Sequence, residues 1–278
     1  VGKKPEMGKW LLYQFFYRNK DIRPYLPETR KYSHAAFRDM LNRYRSLYVK
    51  PVAGSQGKGI IKVWRSANGR YSVKKTTLAA NTFTRVDEVI RRIDALRGGK
   101  MYIVQRGIDL AKVHGRPMDI RVMMQREKPG GRWLYSGMLA KVAGPGSVVT
   151  NTALSRGTVM DVPPALTKAL GWSRERADRV AKRLESLGFV WARHFDTYQL
   201  YRELGFDVAV DTSGRIWLLE QNTAPSHALF KRNKANLAAY RRIQYRWGAF
   251  ERARRNQARE KGKAKGRVKS KGTTVPRL

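Results

Sequence analysis

The chain has 278 residues, 58 of them Lys or Arg and 21 Asp or Glu, for a formal net charge of +37. Hydrophobic residues make up 42%, which excludes disorder throughout, and the length suits one large domain or two small ones sharing a cleft. The absence of cysteine excludes disulfides, thiolate metal sites and a cysteine nucleophile, so any metal is held by oxygen or by one of four histidines.

Residues 9–17 read as a short helix, and Pro24 and Pro27 break whatever follows. Ser33 has the place of an N-cap for a helix reaching Tyr44. Residues 47–52, 60–64 and 71–75 are short β-branched or aromatic runs separated by Gly-rich or Asn-Gly turns, the pattern of an antiparallel meander. Residues 86–96 form an amphipathic helix closed by Gly98 and Gly99, and 101–105 a further strand. Strands are expected at 119–125, 133–142, 207–210 and 216–221, with helices at 173–187 and 195–204. A last helix runs from Lys231 to about Arg255, its apolar side marked by Leu237, Tyr240, Ile243, Trp247 and Phe250. Residues 251–278 carry a net +9 and read either as a solvated tail or as a polyanion-binding arm. The irregular alternation predicts an α+β fold rather than a doubly wound parallel sheet. No apolar run approaches the ~20 residues of a membrane span and the start has no signal-peptide cleavage pattern, so the expected address is the cytosol.

Three clusters carry chemistry. In the first, a strand delivers Lys50, and a turn built from Gly54, Ser55, Gln56, Gly57, Lys58 and Gly59 leads into the next strand. Glycines let the backbone approach a phosphate and offer N–H groups to its oxygens. A Walker or Rossmann loop would open a helix, so this is neither, and taken alone the pattern also fits a plain turn. In the second, Asp207 and, after an Asp-Thr-Ser-Gly turn, Glu220 and Asn222 gather three oxygen donors on one face of a hairpin. Two carboxylates and an amide suit Mg²⁺. In the third, Gln105, Arg106, Gly107 and Ile108 end a strand as a linker that offers backbone groups to a purine. Asp119 and Arg121 then share a strand face, where Arg121 can clamp a phosphate while Asp119 holds its guanidinium. An ordinary Asp/Arg pair on a sheet fits the same pattern. The histidines, at 34, 114, 194 and 227, lack ligand spacing; His227 is the one placed near a substrate by its Asn-Thr-Ala-Pro-Ser turn.

Taken in order, Pro24-Tyr-Leu-Pro27-Glu-Thr29, Tyr48-Val-Lys50-Pro51, Val104-Gln105-Arg-Gly-Ile108, Asp119-Ile-Arg121, Phe206-Asp207 and Leu219-Glu220-Gln-Asn222-Thr-Ala-Pro225 resemble the ATP-grasp superfamily. The resemblance is closest to its YheC/YheD-type endospore coat-associated branch. The interval from Asp207 to Glu220 and the Glu-x-Asn spacing are also similar to those of D-alanine ligases. The resemblance implies two α+β lobes enclosing a nucleotide cleft, with a basic helical C-terminal extension. It divides the chain into an N-terminal helical segment (1–47), a small lobe (48–104), a large lobe (105–235) and a basic helix and disordered tail (236–278). ATP and Mg²⁺ are the implied cofactors: Lys50 and the 54–59 loop on the phosphates, 105–108 along the adenine, Arg121 on the transferred phosphoryl group, and Asp207, Glu220 and Asn222 on the metal. Lys141 and Asn151 resemble an Arg and an Asn near the phosphates and the second metal, and Arg156-Gly157 stands where a Gly-Gly pair is usual.

The implied reaction is a ligase's: a carboxylate is activated as its acyl-phosphate for attack by an amine. The alternatives are a coat-associated ATP-binding protein without turnover and a polyanion- or nucleic-acid-binding protein. The charge favours an anionic, carboxylate-bearing substrate or polymer, with nonspecific nucleic acid on the basic tail, and the spore coat is an alternative address.

Overall fold

In the computed structural model, which describes residues 7–54, 57–76, 78–145 and 157–270 (backbone only from 262), two antiparallel sheets each bury one face under helices. The first contains β1 (Thr29–Lys31), β2 (Ser46–Pro51), β3 (Ile61–Arg65), β4 (Tyr71–Lys75), β5 (Asn81–Phe83) and β6 (Tyr102–Arg106), ordered β1-β6-β2-β3-β4-β5. Strand alternation sends Leu47, Val49, Val63 and Val104 into a core with Phe37 and Met40 of α2 (His34–Arg43) and Val89 and Ile93 of α3 (Val86–Arg97). Lys50 and Gln105 therefore occupy the opposite face. Ser33 caps α2 by accepting from the Ala36 N–H at 3.1 Å, and Gly98 closes α3 in the left-handed region.

The second sheet contains β7 (Lys112–Val113), β8 (Arg116–Gln125), β9 (Leu134–Val142), β10 (Thr158–Met160), β11 (Glu203–Val210) and β12 (Ile216–Asn222), ordered β10-β9-β8-β11-β12 with β7 on β8. Ile120, Val122, Phe206 and Val208 pack one face against α4 (Val162–Leu170) and α5 (Arg174–Phe195), where Leu184, Trp191 and Phe195 are buried. Phe16 of α1 (Lys9–Tyr17) and Ile22 join this second core, whereas residues 29–43 supply β1 and α2 to the first sheet. The other face is half covered by α6 (Ala228–Lys231) and α7 (Ala238–Ser270), through Phe230, Ala239 and Ile243 on Met123 and Leu139. Its uncovered half carries the charged residues described below.

Gly137 is where α7 seats. Its φ is +145°, and a Cβ there would stand 2.6 Å from the Ala239 Cβ. Gly137→Ala is expected to cost about 1–3 kcal/mol of stability through overpacking, read as a lower urea midpoint. An unchanged midpoint would mean that α7 does not press on β9.

Several elements differ from the sequence reading. Residues 195–204 are not a helix: α5 runs on to Phe195, a turn follows, and Leu204 already belongs to β11. The helix passes through Gly188 because that residue lies against Val122 and Met124, where a Cβ would come within 3.1 and 2.9 Å. The expected helix from Lys231 is a short turn of helix followed by α7, which continues to Ser270, well past Arg255. The segment read as a tail is thus helical over most of its length, and its Ala, Arg, Lys and Gln content favours that conformation. β1, β5, β7, β10 and α4 were not anticipated. No helix among the described residues is long and apolar enough to cross a membrane.

Candidate active site

The uncovered half of the second sheet is built by register. Arg121 on β8 lies opposite Asp207 on β11, Asp119 on β8 opposite Lys141 on β9, and Glu220 on β12 opposite Asp207. A bulge between Asp207 and Val208 shifts the pairing just past the carboxylate. Arg121 donates from Nε and Nη2 to the two Asp207 oxygens at 2.8 and 3.0 Å. Lys141 Nζ donates to Asp207 Oδ1 at 2.8 Å and lies 3.1 Å from Asp119 Oδ1. Asn222 Nδ2 reaches Asp207 Oδ2 at 3.3 Å. Gly205 makes room for this: a Cβ there would stand 2.7 Å from Pro225 and 3.1 Å from the Arg121 side chain.

Asp119, Arg121, Lys141 and Asp207 are all buried, and their two cations balance two carboxylates. Burial works to raise the Asp207 pKa, but Arg121 and Lys141 outweigh it and hold the carboxyl well below the ordinary range. Burial likewise works to lower Lys141, and Asp119 and Asp207 overcome it. The expected orientation of Arg121 by Asp119 is corrected: the bidentate partner is Asp207 across the strand pair, and Asp119 serves Lys141.

The facing surface of the first sheet brings Lys50. Its Nζ donates to Gln105 Oε1 at 2.6 Å, Gln105 Nε2 donates to Thr29 Oγ1 at 2.9 Å, and that hydroxyl donates to Pro27 O at 2.9 Å. Burial pushes the Lys50 ammonium down to about 8, against the pull of Glu220, Asp207 and Asp119. The glycine turn has positive φ at Gly54, Gly57 and Gly59 (114°, 75° and 75°), conformations that bare the backbone. Ser55 and Gln56, like Asn151 and Arg156, lie outside the described residues.

Lys9, which the sequence reading passed over, crosses between the sheets. Its Nζ donates to Gly54 O and lies 3.6 Å from Glu220 Oε1. Lys9, Lys50, Gly54, Gly57, Lys58 and Glu220 line one pocket. The early hairpin and the late carboxylate therefore share a cavity. Its open room is about 60 Å³, small beside the ~300–1,000 Å³ of ligand pockets. A lysine opening a helix gives no local signal of this role, since only the fold carries it to the glycine turn.

Residues 105–108 pass from the first sheet toward the second. Gly107 donates to Ser46 O at 2.8 Å, and a Cβ there would collide with Ser46. Gln105 contributes its side chain to Lys50, and Arg106 turns its guanidinium toward Tyr44 and Trp217. Ile108 is part-exposed in the connection. His227 faces Glu203 at 2.8 Å and Gln244 at 3.0 Å, in a polar network under α7.

No group of three or more His, Asp or Glu side chains suited to a metal occurs among the described residues. With the Asn222 amide, Asp207 and Glu220 form a three-residue oxygen set of the kind Mg²⁺ takes. The donor types fit. Asp207 already accepts four hydrogen bonds, about the capacity of a carboxylate, so a metal ion shares it only when a donor is drawn away.

The family model described as "YheC/D like ATP-grasp" matches residues 3–246. The chain is similar to the endospore coat-associated protein YheD of Bacillus subtilis (strain 168), with 27% identity over 235 residues, covering 82% of this chain and 50% of YheD. It is also similar to the endospore coat-associated protein YheC of the same organism, with 23% identity over 236 residues, covering 78% of this chain and 59% of YheC. The chain thus spans about half the length of these curated relatives. Among solved structures, it is similar to the C-terminal domain of K. lactis Pby1, an ATP-grasp enzyme interacting with the mRNA decapping enzyme Dcp2. The TM-score is 0.52 at 16% identity, covering 88% of this chain and 72% of that one.

Proposed function

This chain belongs to the YheC/D-like ATP-grasp family and has the ATP-grasp α+β fold, and we propose that it is an ATP- and Mg²⁺-dependent ligase that joins a carboxylate to an amine. The observation that carries this reading is the single pocket lined by both Lys50 with its glycine turn and Glu220. The same reading divides the chain into lobes meeting near residue 105, with the nucleotide between them.

Lys50 and Lys9 would hold the phosphates with the backbone N–H groups of the 54–59 turn, and Arg121 and Lys141 would face the transferred phosphoryl group. Asp207, Glu220 and Asn222 would hold Mg²⁺, which would supply neutralisation of phosphate charge. A substrate carboxylate oxygen attacks the γ-phosphorus and ADP departs. The amine then attacks the acyl carbon, losing a proton, and inorganic phosphate leaves. The protein's part is to position the reactants and offset developing charge with preorganised cations.

The test is incubation with ATP, Mg²⁺ and a panel of acidic acceptors, following ADP release, with Glu220→Ala as control. ADP release that depends on acceptor and on Glu220 is expected. No ATP binding at millimolar Mg²⁺ would refute the reading. Mg²⁺ without nucleotide is expected to bind weakly, since Arg121 and Lys141 keep Asp207 occupied; tight binding of Mn²⁺ alone, by electron paramagnetic resonance, would contradict that. The names of the curated relatives favour a second reading, a coat-associated protein that binds ATP without turnover, which would bind nucleotide and release no ADP with any acceptor.

A further inference from the structure

A second pocket, of about 460 Å³, opens beyond the far end of α1, lined in part by Tyr17, Glu28, Arg30, Arg106, Arg215 and Trp217. Its centre is a buried indole carrying two guanidiniums: the Arg106 and Arg215 Cζ atoms stand 4.9 and 4.1 Å from Trp217 ring centroids. Tyr44 stacks on Arg106 as well, at 5.0 Å. A guanidinium covered by rings keeps its in-plane N–H groups for acceptors. Arg215 gives one of these to Pro24 O at 2.9 Å.

Neither arginine has an ion-pair partner among the described residues. The nearby carboxylates are committed elsewhere. Glu28 accepts from Arg43, Arg30 and Tyr44, and the Arg43 hydrogen bonds, opposed by burial, bring its pKa down to about 2. Asp211 accepts the Trp217 Nε1–H at 2.8 Å and the N–H groups of its own turn. Two cations gathered on one ring repel each other, and the single charge of the Asp211 carboxylate at the ring's edge offsets at most one of them.

We propose that this pocket binds a phosphate dianion, free or as a monoester, between Arg106 and Arg215. A carboxylate would offset one charge and satisfy one fork; a phosphate offers charge and oxygens for both. Arg106 ends β6 of the first sheet and Arg215 precedes β12 of the second, so the bound anion ties the two sheets together. The site adjoins the Lys50 pocket, with which it shares Tyr13 and Leu26, but Arg106 and Arg215 lie outside that pocket's lining. The proposal does not rest on the ligase reading.

The test titrates inorganic phosphate and, separately, glycerol phosphate into the wild type, Arg106→Gln and Arg215→Gln, by calorimetry in the presence of saturating ADP and Mg²⁺. At least tenfold weaker binding is expected in either variant, with ADP affinity unchanged in Arg215→Gln. Binding of glycerol phosphate as well as phosphate identifies a monoester site; phosphate alone identifies a free-anion site. Equal affinity in all three proteins, or complete displacement of phosphate by ADP, overturns the proposal. A second measurement needs no variant: phosphate should protect Arg106 and Arg215 from phenylglyoxal in the wild type, read by peptide mass mapping, and unchanged modification of both refutes the site. If ADP does not bind at all, the ligase reading fails while the phenylglyoxal result still decides this one.

Discussion

Asp207→Ala should lower the unfolding free energy by about 3–5 kcal/mol, the loss typical when one partner of a buried ion pair is removed. Arg121 and Lys141 both bond to Asp207, and both are buried with it. Without it, the two interior cations keep the Asp119 carboxylate, with Glu220 as a weaker influence on Arg121. Desolvation, offset in the intact cluster, would then act on an unbalanced charge. Removing a cation as well should return part of the loss: Lys141→Met combined with Asp207→Ala leaves Arg121 and Asp119 as a one-to-one pair. A double-mutant cycle in urea measures this coupling, and the double variant is expected to be more stable than the sum of the singles. An Asp207→Ala midpoint equal to that of the wild type would show that the cluster is not held by charge balance. The same substitution should abolish any Mg²⁺-dependent strengthening of nucleotide binding.

Much of this site is legible in the sequence because strand alternation and register are short-range rules. Lys50, Arg121, Asp207, Glu220 and Asn222 all lie on strands whose apolar neighbours fix which face is buried. The contacts among them are a different matter. That Arg121 meets Asp207 rather than Asp119 depends on β8 pairing with β11, two segments 86 residues apart. Residues two apart on one strand share a face, yet a directly opposed residue on the neighbouring strand stands closer. Lys9 was missed for a similar reason, since only the docking of α1 between the sheets brings it to Gly54 and Glu220. The misread helix at 195–204 has a local cause. Phe195, Tyr198, Tyr201 and Leu204 carry a helical spacing, but Leu204 is claimed by β11, where long-range pairing overrides the local pattern. The helix expected over 173–187 is too short, because Gly188 continues it in close contact with Val122 and Met124.

Nucleotide affinity is expected to fall as pH rises through about 8, and the cause is Lys50. Burial sets its folded pKa near 8, below the ordinary 10.5, so in the empty protein the ammonium discharges within an accessible range. A triphosphate beside it favours the charged form and raises that pKa. Binding above pH 8 must therefore take up a proton, and the affinity lost with rising pH is the cost of supplying it. The sign for folding is opposite. Between about 8 and 10.5 the unfolded chain holds this proton more tightly than the folded one, so the Lys50 contribution makes the empty fold more stable as pH rises across that window. Calorimetry at pH 8.5 in two buffers of different ionisation enthalpy measures the uptake directly. Lys50→Ala should remove it and weaken ATP binding by about 10–100-fold, the range of a charge-assisted hydrogen bond worth ~1.5–3 kcal/mol. Gln105→Leu provides the comparison that isolates the lysine, since it leaves the ammonium in place but takes away its 2.6 Å acceptor. ATP binding should then weaken less than in Lys50→Ala while proton uptake persists. Heats of binding that are the same in both buffers would place the triphosphate away from Lys50, and with it the assignment of this cleft to a nucleotide would fall.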